Sequence, residues 1–317
     1  MAVYAAIDVG TNTLRLLVAE AVTPDEFAIL HEEQEITRLG EGLLPTRLLQ
    51  DAPRRRSLTV LRRFADTARS FKAGEVAAVA TSAVREAKNG EEFLAETARE
   101  TGLALRVIAG GEEARLTLLG VRHGLRLGSR RVLAIDIGGG STEFVLARGD
   151  VIEGIVSTGL GVVKLTEQYL VSDPPTVGEL RSVKEVVGAR IDRLRGELHC
   201  PEEAQLVGSA GTVTTLAAID LALVTYDRQK VRGHCLGLAR VVELLDRLAA
   251  LALRERRQVP GLEPGRADVI LAGAAILAVS MQRLGYHELR VSDDGLREGI
   301  LLDLIRGEGR TRLSGSA

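Results

Sequence analysis

Tryptophan is absent from this 317-residue chain, and five Phe and four Tyr bring the aromatic share to only 3%. Packed cores must be built from aliphatic side chains, and an apolar content of 45% is enough for them. Cysteine occurs twice, which argues against a disulfide scaffold and for a reducing compartment. A charge excess is lacking too: 41 Lys and Arg against 43 Asp and Glu leave a formal net charge of −2. There is no broad positive field of the kind nucleic-acid binders show, so no specific nucleic-acid partner is expected. The longest apolar run, Val269–Met281, falls well short of the roughly 20 residues a membrane span needs. It reads as a buried helix of small residues. Met1-Ala2-Val3-Tyr4 leads straight into a strand pattern, without the charged and apolar regions of a secretory signal. These absences predict a cytoplasmic protein with no membrane partner.

What the chain does contain is a repeat. Ala134–Ala147 reads as strand, tight glycine turn, strand: an apolar run ending on Asp136, then Gly138-Gly139-Gly140-Ser141-Thr142, then Glu143 and a second apolar run. Glycines let the backbone turn sharply and let an anion approach its N–H groups, which form a concave nest. Asp136 and Glu143 flank that nest, and carboxylates beside a phosphate normally need a cation, usually Mg²⁺. Ala6–Ala19 aligns with this stretch without a gap, Asp8 falling on Asp136, Gly10 on Gly138, Thr13 on Ser141 and Ala19 on Ala147. One supersecondary unit used twice, far apart, predicts two similar domains that face each other across a cleft lined by a phosphate-binding hairpin from each. Two chance glycine hairpins would not need matched Asp, Gly and hydroxyl positions. Arg15 stands where the second copy has Glu143, so the hairpins differ chemically.

The remaining segments fit an α/β chain of two domains, the expected number for this length. Residues 1–126 form the first, 127–299 the second, and 300–317 are expected to return to the first. Gly124–Ser129 is the candidate boundary. Third strands are expected at Phe27–Leu39 and Val151–Ser157, and one long helix over Thr46–Phe71. That helix carries Arg54-Arg55-Arg56 and Arg62-Arg63, read either as a solvated face or as a source of positive field near an anionic substrate. Thr81 and Ser82 follow a strand and read as a helix N-cap. Arg85 lies in that helix, placed either for a bidentate anion contact or for a salt bridge with Glu86. Glu112 and Glu113 open another helix. The macrodipole alone accounts for acidic residues there, while a general base in the cleft is the functional alternative. Gly208-Ser209-Ala210-Gly211-Thr212 is a third small-residue loop that opens a helix, as anion sites require. Tyr226–His234 reads as a polar loop, Leu238–Leu253 and Arg266–Leu284 as helices, and Gly307–Ala317 as a polar, frayed tail. His199-Cys200 and His234-Cys235 match no standard zinc spacing, so no metal is expected there.

Taken together, Ala6–Ala19, Ser82–Ala87, Gly111–Leu116, Ile135–Glu143, Gly208–Thr212 and Ser292–Gly299 resemble the exopolyphosphatase / guanosine pentaphosphate phosphohydrolase (Ppx/GppA) family, in the same order and from about residue 3 to about residue 306. The resemblance implies two ribonuclease H-like domains around an interdomain cleft, the fold of the actin / sugar kinase / heat-shock chaperone superfamily. It implies Glu113 as catalytic base, and Asp136 and Glu143, with Asp8 in the equivalent place, as carboxylates associated with Mg²⁺ or Mn²⁺. Gly138, Gly139, Gly140, Ser141 and Thr142 would form the main phosphate loop. Gly10, Thr11, Asn12, Thr13, Arg85, Gly208, Ser209, Gly211 and Thr212 would add phosphate contacts. Inorganic polyphosphate is the implied substrate and hydrolysis of its terminal phosphoanhydride the reaction. The alternatives are pppGpp 5′-phosphate hydrolysis, a non-catalytic polyphosphate- or nucleotide-binding module and, more distantly, a sugar kinase. A second copy of the chain is a partner this short form, lacking the C-terminal helical region of longer members, leaves open.

Overall fold

The computed structural model describes residues 2–198, 201 and 203–307. The chain divides into two compact units, one built from residues 1–123 and 294–317, the other from residues 124–293.

In the first unit, β1 (Val3–Val9), β2 (Thr13–Thr23) and β3 (Glu26–Ile36) form an antiparallel meander, and β4 (Glu75–Ala80) and β5 (Leu105–Val107) add parallel strands in the order β3-β2-β1-β4-β5. Side chains alternate across a strand, and both faces of this sheet are buried. Ile7, Leu14, Leu16 and Val18 pack with Leu61 and Phe64 on one face. Ala6, Leu17, Ala19 and Val79 pack with Leu116, Ile300 and Leu301 on the other. The outermost meander strand, β3, carries Glu26, Glu32, Glu33 and Glu35, charges that discourage edge-to-edge pairing.

The single helix expected over Thr46–Phe71 is two. α1 (Leu43–Thr46) is followed by a break and then α2 (Asp51–Ser70). Pro53 sits in the first turn of α2, where its missing N–H costs nothing. Four of the five arginines in the two runs of α2 are engaged with carboxylates. Arg54 pairs with Glu96 and Arg56 with Glu41, each at 2.7 Å, Arg62 with Glu100 at 2.7 Å, and Arg63 with Glu33 at 2.6 Å. Neighbouring carboxylates thus offset the charge of these four arginines. α3 (Ser82–Glu86), α4 (Gly90–Thr101) and α5 (Gly110–Leu125) complete the first pass. Where the chain returns, His123 Nδ1 lies 3.0 Å from Asp294 Oδ2.

The second unit repeats the plan. β6 (Arg131–Ile137), β7 (Thr142–Arg148) and β8 (Val151–Thr158) form the meander. β9 (Gln205–Ser209) and β11 (Glu288–Val291) extend it in parallel, and β10 (Cys235–Gly237), which the sequence did not suggest, closes the edge in the order β10-β11-β9-β6-β7-β8. The helices are α6 (Val162–Tyr169), α7 (Val177–Glu197), α8 (Ala210–Asp220), α9 (Arg228–Val231), α10 (Leu238–Ala249), α11 (Leu253–Arg256) and α12 (Ile270–Leu284). α7 starts on a capping box in which Thr176 and Glu179 exchange side-chain-to-backbone bonds. The stretch expected to be a polar loop contains α9, capped by the Asp227 carboxylate. The two expected long helices begin or end at different places, α10 stopping at Ala249 and α12 starting at Ile270 after a 3₁₀ turn at Pro264–Arg266. The apolar run 270–281 is buried throughout. Among the described residues, no helix is long and apolar enough to cross a membrane. His199, Cys200 and residues 308–317 lie outside the described residues. α13 (Leu296–Arg306) belongs to the first unit and packs on β1 and β2.

Both sheets thus carry the ribonuclease H-like arrangement of an antiparallel meander followed by parallel strands.

Candidate active site

The two glycine hairpins fold alike in backbone detail. Gly10 N–H donates to Thr13 O at 3.2 Å, and Gly138 N–H donates to Ser141 O at 2.9 Å. In the first loop the carbonyls of Thr11 and Asn12 accept from Gly40 and Arg38 at 2.8 and 2.9 Å. In the second, the carbonyls of Gly138 and Gly139 accept from Val162 and Val163, at the start of α6, at 3.1 and 2.9 Å. The segment after each third strand therefore braces its loop by the carbonyls and not by the N–H groups. Among the described residues no backbone acceptor meets the N–H of Thr11, Asn12, Gly139 or Gly140, the condition an anion nest needs. Close approach explains the glycines in the bracing segments. A Cβ at Gly161 would overlap the backbone of Gly139 and Gly140, and one at Gly40 would overlap Thr11.

Strand register separates the two copies. Asp136 stands directly opposite Glu143, and Asp8 directly opposite Arg15. Directly opposed residues share a face and interact. In the first hairpin the outcome is an ion pair, Arg15 Nη1 to Asp8 Oδ2 at 3.8 Å. In the second it is a pair of carboxylates. Glu143 is 2% exposed and accepts from Ser157 Oγ at 2.8 Å, while Asp136 accepts from Ser209 Oγ at 3.1 Å. Two carboxylates on one face, with hydroxyls beside them, form a hard oxygen set. Such a set fits a divalent ion that takes one or two protein carboxylates and completes its shell with water and phosphate oxygens. Among the described residues no group of three or more His, Cys, Asp and Glu is placed to hold a metal, so these residues present no cage made wholly of protein ligands.

Glu112 and Glu113, indistinguishable in sequence, part company here. Glu112 pairs with Arg106 at 2.8 Å. Glu113 Oε2 accepts from Arg85 Nη1 at 3.1 Å, and the same nitrogen donates to Ile108 O at 2.7 Å. Arg85 is thus turned to Glu113, while Glu86 accepts from Ser82 Oγ at 2.7 Å. Thr81 is the N-cap residue of α3, as expected, but its side chain makes no capping bond.

Other predicted phosphate contacts are occupied in different ways. The Thr142 hydroxyl is fully buried and donates to Leu160 O at 2.6 Å, so it fixes the turn after β8. The side chain of Thr212 packs on Gly273 of α12, where any Cβ would collide with it. Beside it, the Arg266 guanidinium lies over Gly211 and is tied to Glu263 at 2.7 Å. Nothing in the local sequence singles out this arginine, because it reaches the loop from a distant turn. Ala210, between Ser209 and Gly211, has φ 66°, a strained value for a residue with a Cβ. His234 Nε2 lies 2.7 Å from Asp220 Oδ2. Burial works to raise the Asp220 pKa, but bonds from Arg240 and His234 outweigh it and hold the carboxyl below its usual range.

The first unit therefore contains the Gly10–Thr13 loop, Asp8, Arg85 and Glu113. The second contains the Gly138–Ser141 loop, the Asp136–Glu143 pair and the Gly208–Thr212 loop. A duplicated ribonuclease H-like fold with a glycine loop at the end of the central strand of each sheet is the architecture of the actin-like fold class. The profile of the Ppx/GppA phosphatase family matches residues 17–308. Exopolyphosphatase 2 of Mycobacterium tuberculosis is 35% identical over 312 residues, covering 95% of this chain and 98% of that protein. The Aquifex aeolicus family member superposes with a TM-score of 0.82 at 34% identity, over 97% of this chain and 98% of that one. An exopolyphosphatase from Cytophaga hutchinsonii gives 0.89 at 27% identity, over 96% and 98%. The chain belongs to the Ppx/GppA phosphatase family.

Proposed function

We infer that this protein is an exopolyphosphatase that removes the terminal phosphoryl group of inorganic polyphosphate as orthophosphate. The observation that carries the reaction class is the Asp136–Glu143 pair beside a loop in which, among the described residues, no backbone acceptor meets the N–H of Gly139 or Gly140. The substrate is supported by the mycobacterial relatives, which are exopolyphosphatases aligned over nearly the whole chain.

In this reading the N–H groups of Gly139, Gly140 and Ser141 cradle the terminal phosphoryl group. Gly10–Thr13 and the backbone of Gly208–Thr212 add phosphate contacts. Asp136 and Glu143 hold Mg²⁺, or Mn²⁺ in its place, which neutralises phosphoryl oxygens when bound. Asp8, predicted in the same role, faces Arg15 instead. Glu113 orients a water for in-line attack and takes its proton, and Arg85 keeps the Glu113 carboxylate in place. Because phosphoryl transfer passes through a loose transition state, positioning and charge neutralisation do most of the work.

Phosphate release from short polyphosphate, long polyphosphate and pppGpp, measured in parallel with Mg²⁺ and with Glu113→Gln as control, tests the assignment. Release from polyphosphate that the variant loses is the expected result. Release from pppGpp alone moves the activity to the alarmone. Binding of polyphosphate without any release makes the protein a binding module.

A further inference from the structure

Four residues form a straight row across four neighbouring strands of the second sheet. Ser209 on β9 is opposite Asp136 on β6, Asp136 is opposite Glu143 on β7, and Glu143 is opposite Ser157 on β8. Opposed residues lie on one face, so the two carboxylates are bracketed by a hydroxyl at each end. Both hydroxyls point inward: Ser209 Oγ donates to Asp136 Oδ2 at 3.1 Å, and Ser157 Oγ donates to Glu143 Oε1 at 2.8 Å.

The duplicated hairpin supplies an internal comparison. The corresponding row in the first sheet is Val79, Asp8, Arg15 and Gln34. Only the aspartate is common to both. Where the partner of that aspartate is an arginine, neither end of the row is a serine. Where it is a second carboxylate, both ends are.

We propose that Ser157 is a positioning residue that holds the Glu143 carboxylate in the orientation that takes a divalent cation, with Ser209 doing the same for Asp136 from the other end. The inference rests on the reading of Asp136 and Glu143 as cation ligands. A glutamate has several side-chain rotamers, and a hydrogen bond on one carboxylate oxygen selects among them and turns the other oxygen to the ligand. Partners that orient a metal-ligating side chain are commonly worth 10–100-fold in metal affinity. Ser157 is solvent-exposed, so water competes for its hydroxyl, and an effect of about tenfold is expected. Exposure also means that Ser157→Ala leaves no cavity, and the variant should fold as the parent does.

The test is Mn²⁺ binding, read from the electron paramagnetic resonance signal of the free ion, for the full-length parent, Ser157→Ala, Ser157→Thr and Glu143→Gln. Steady-state phosphate release as a function of Mn²⁺ accompanies it. The proposal expects about a tenfold higher Mn²⁺ Kd in Ser157→Ala and affinity restored in Ser157→Thr. It also expects a higher half-saturating Mn²⁺ concentration in Ser157→Ala, with kcat at saturating metal close to the parent value. Equal affinity in Ser157→Ala and parent, with Glu143→Gln weakened, overturns the proposal and leaves the cation site intact. A loss that Ser157→Thr does not restore overturns it as well, since the hydroxyl would not be the cause. If parent and Glu143→Gln bind Mn²⁺ equally weakly, the cation reading itself fails and the role of Ser157 falls with it.

Discussion

Arg85 Nη1 bridges Glu113 Oε2, at 3.1 Å, and the carbonyl oxygen of Ile108, at 2.7 Å. One guanidinium thereby ties the candidate base on α5 to the residue that follows β5. Glu113→Gln keeps a hydrogen-bond acceptor for Arg85 but cannot take a proton. Its kcat should fall by about 10²–10⁴-fold while KM for polyphosphate and the thermal midpoint stay near those of the parent. Turnover close to the parent value would remove Glu113 from the mechanism.

The contrast between the hairpins can be imposed by substitution. Glu143→Arg gives the second hairpin the cross-strand pair of the first. An internal cation would then face Asp136, as Arg15 faces Asp8. Activity should become undetectable, and added Mg²⁺ or Mn²⁺ should not recover it. In the parent, chelation with EDTA should stop phosphate release, and an excess of Mg²⁺ should bring it back. Release that persists through chelation would contradict the assignment of Asp136 and Glu143.

Gly161→Ala places a methyl group in the backbone of Gly139 and Gly140. Either the loop or the start of α6 must move. Overpacking of this kind costs about 1–3 kcal/mol, and the displaced N–H groups should weaken orthophosphate binding by more than tenfold. Isothermal titration with orthophosphate and a thermal melt separate the two effects. Tight binding in a destabilised protein would show that the loop keeps its form and α6 gives way.

At the start of α7, backbone N–H groups of Thr176, Ser172 and Val171 and the Thr176 hydroxyl bond the Glu179 carboxylate and, against a smaller effect of burial, hold its pKa down to about 2. A folded-state pKa below the unfolded one favours the folded state at pH values above the unfolded pKa, near 4.5, and that contribution is lost as pH falls towards 2. The melting-temperature gap between the parent and Glu179→Gln should therefore be constant above about pH 5 and shrink below it. Melts from pH 6 to pH 3 check this, and a gap independent of pH would mean that the capping box is broken in solution.

Much of this site could be read from the sequence because it rests on local, repeated chemistry. Asp8 and Asp136, with Gly10 and Gly138, define a hairpin whose backbone bonds recur in both copies. Contacts made across the sheet were harder to see. Ser157 lies fourteen residues from Glu143, and only the register of β7 and β8 puts them opposite each other. Thr142 and Thr212 have the right residue type in the right loops, yet tertiary packing turns their side chains to Leu160 and Gly273. Arg266 reaches Gly211 from a turn more than fifty positions away in the chain. The break before α2 is hidden in the sequence because Leu48 and Leu49 continue the apolar period of the helix, although Leu48 is exposed and Leu49 buried.

The placement of α13 bears on the order in which the protein can form as it is made. Residues 124–293 are continuous, so the second unit has all of its chain before α13 has been translated. The first unit begins the sequence but cannot cover one face of β1 and β2 until Leu296, Ile300 and Leu301 arrive. Translation therefore completes the N-terminal unit last. A released chain that ends just before α13 should hold a finished second unit beside a first unit that proteases still cut.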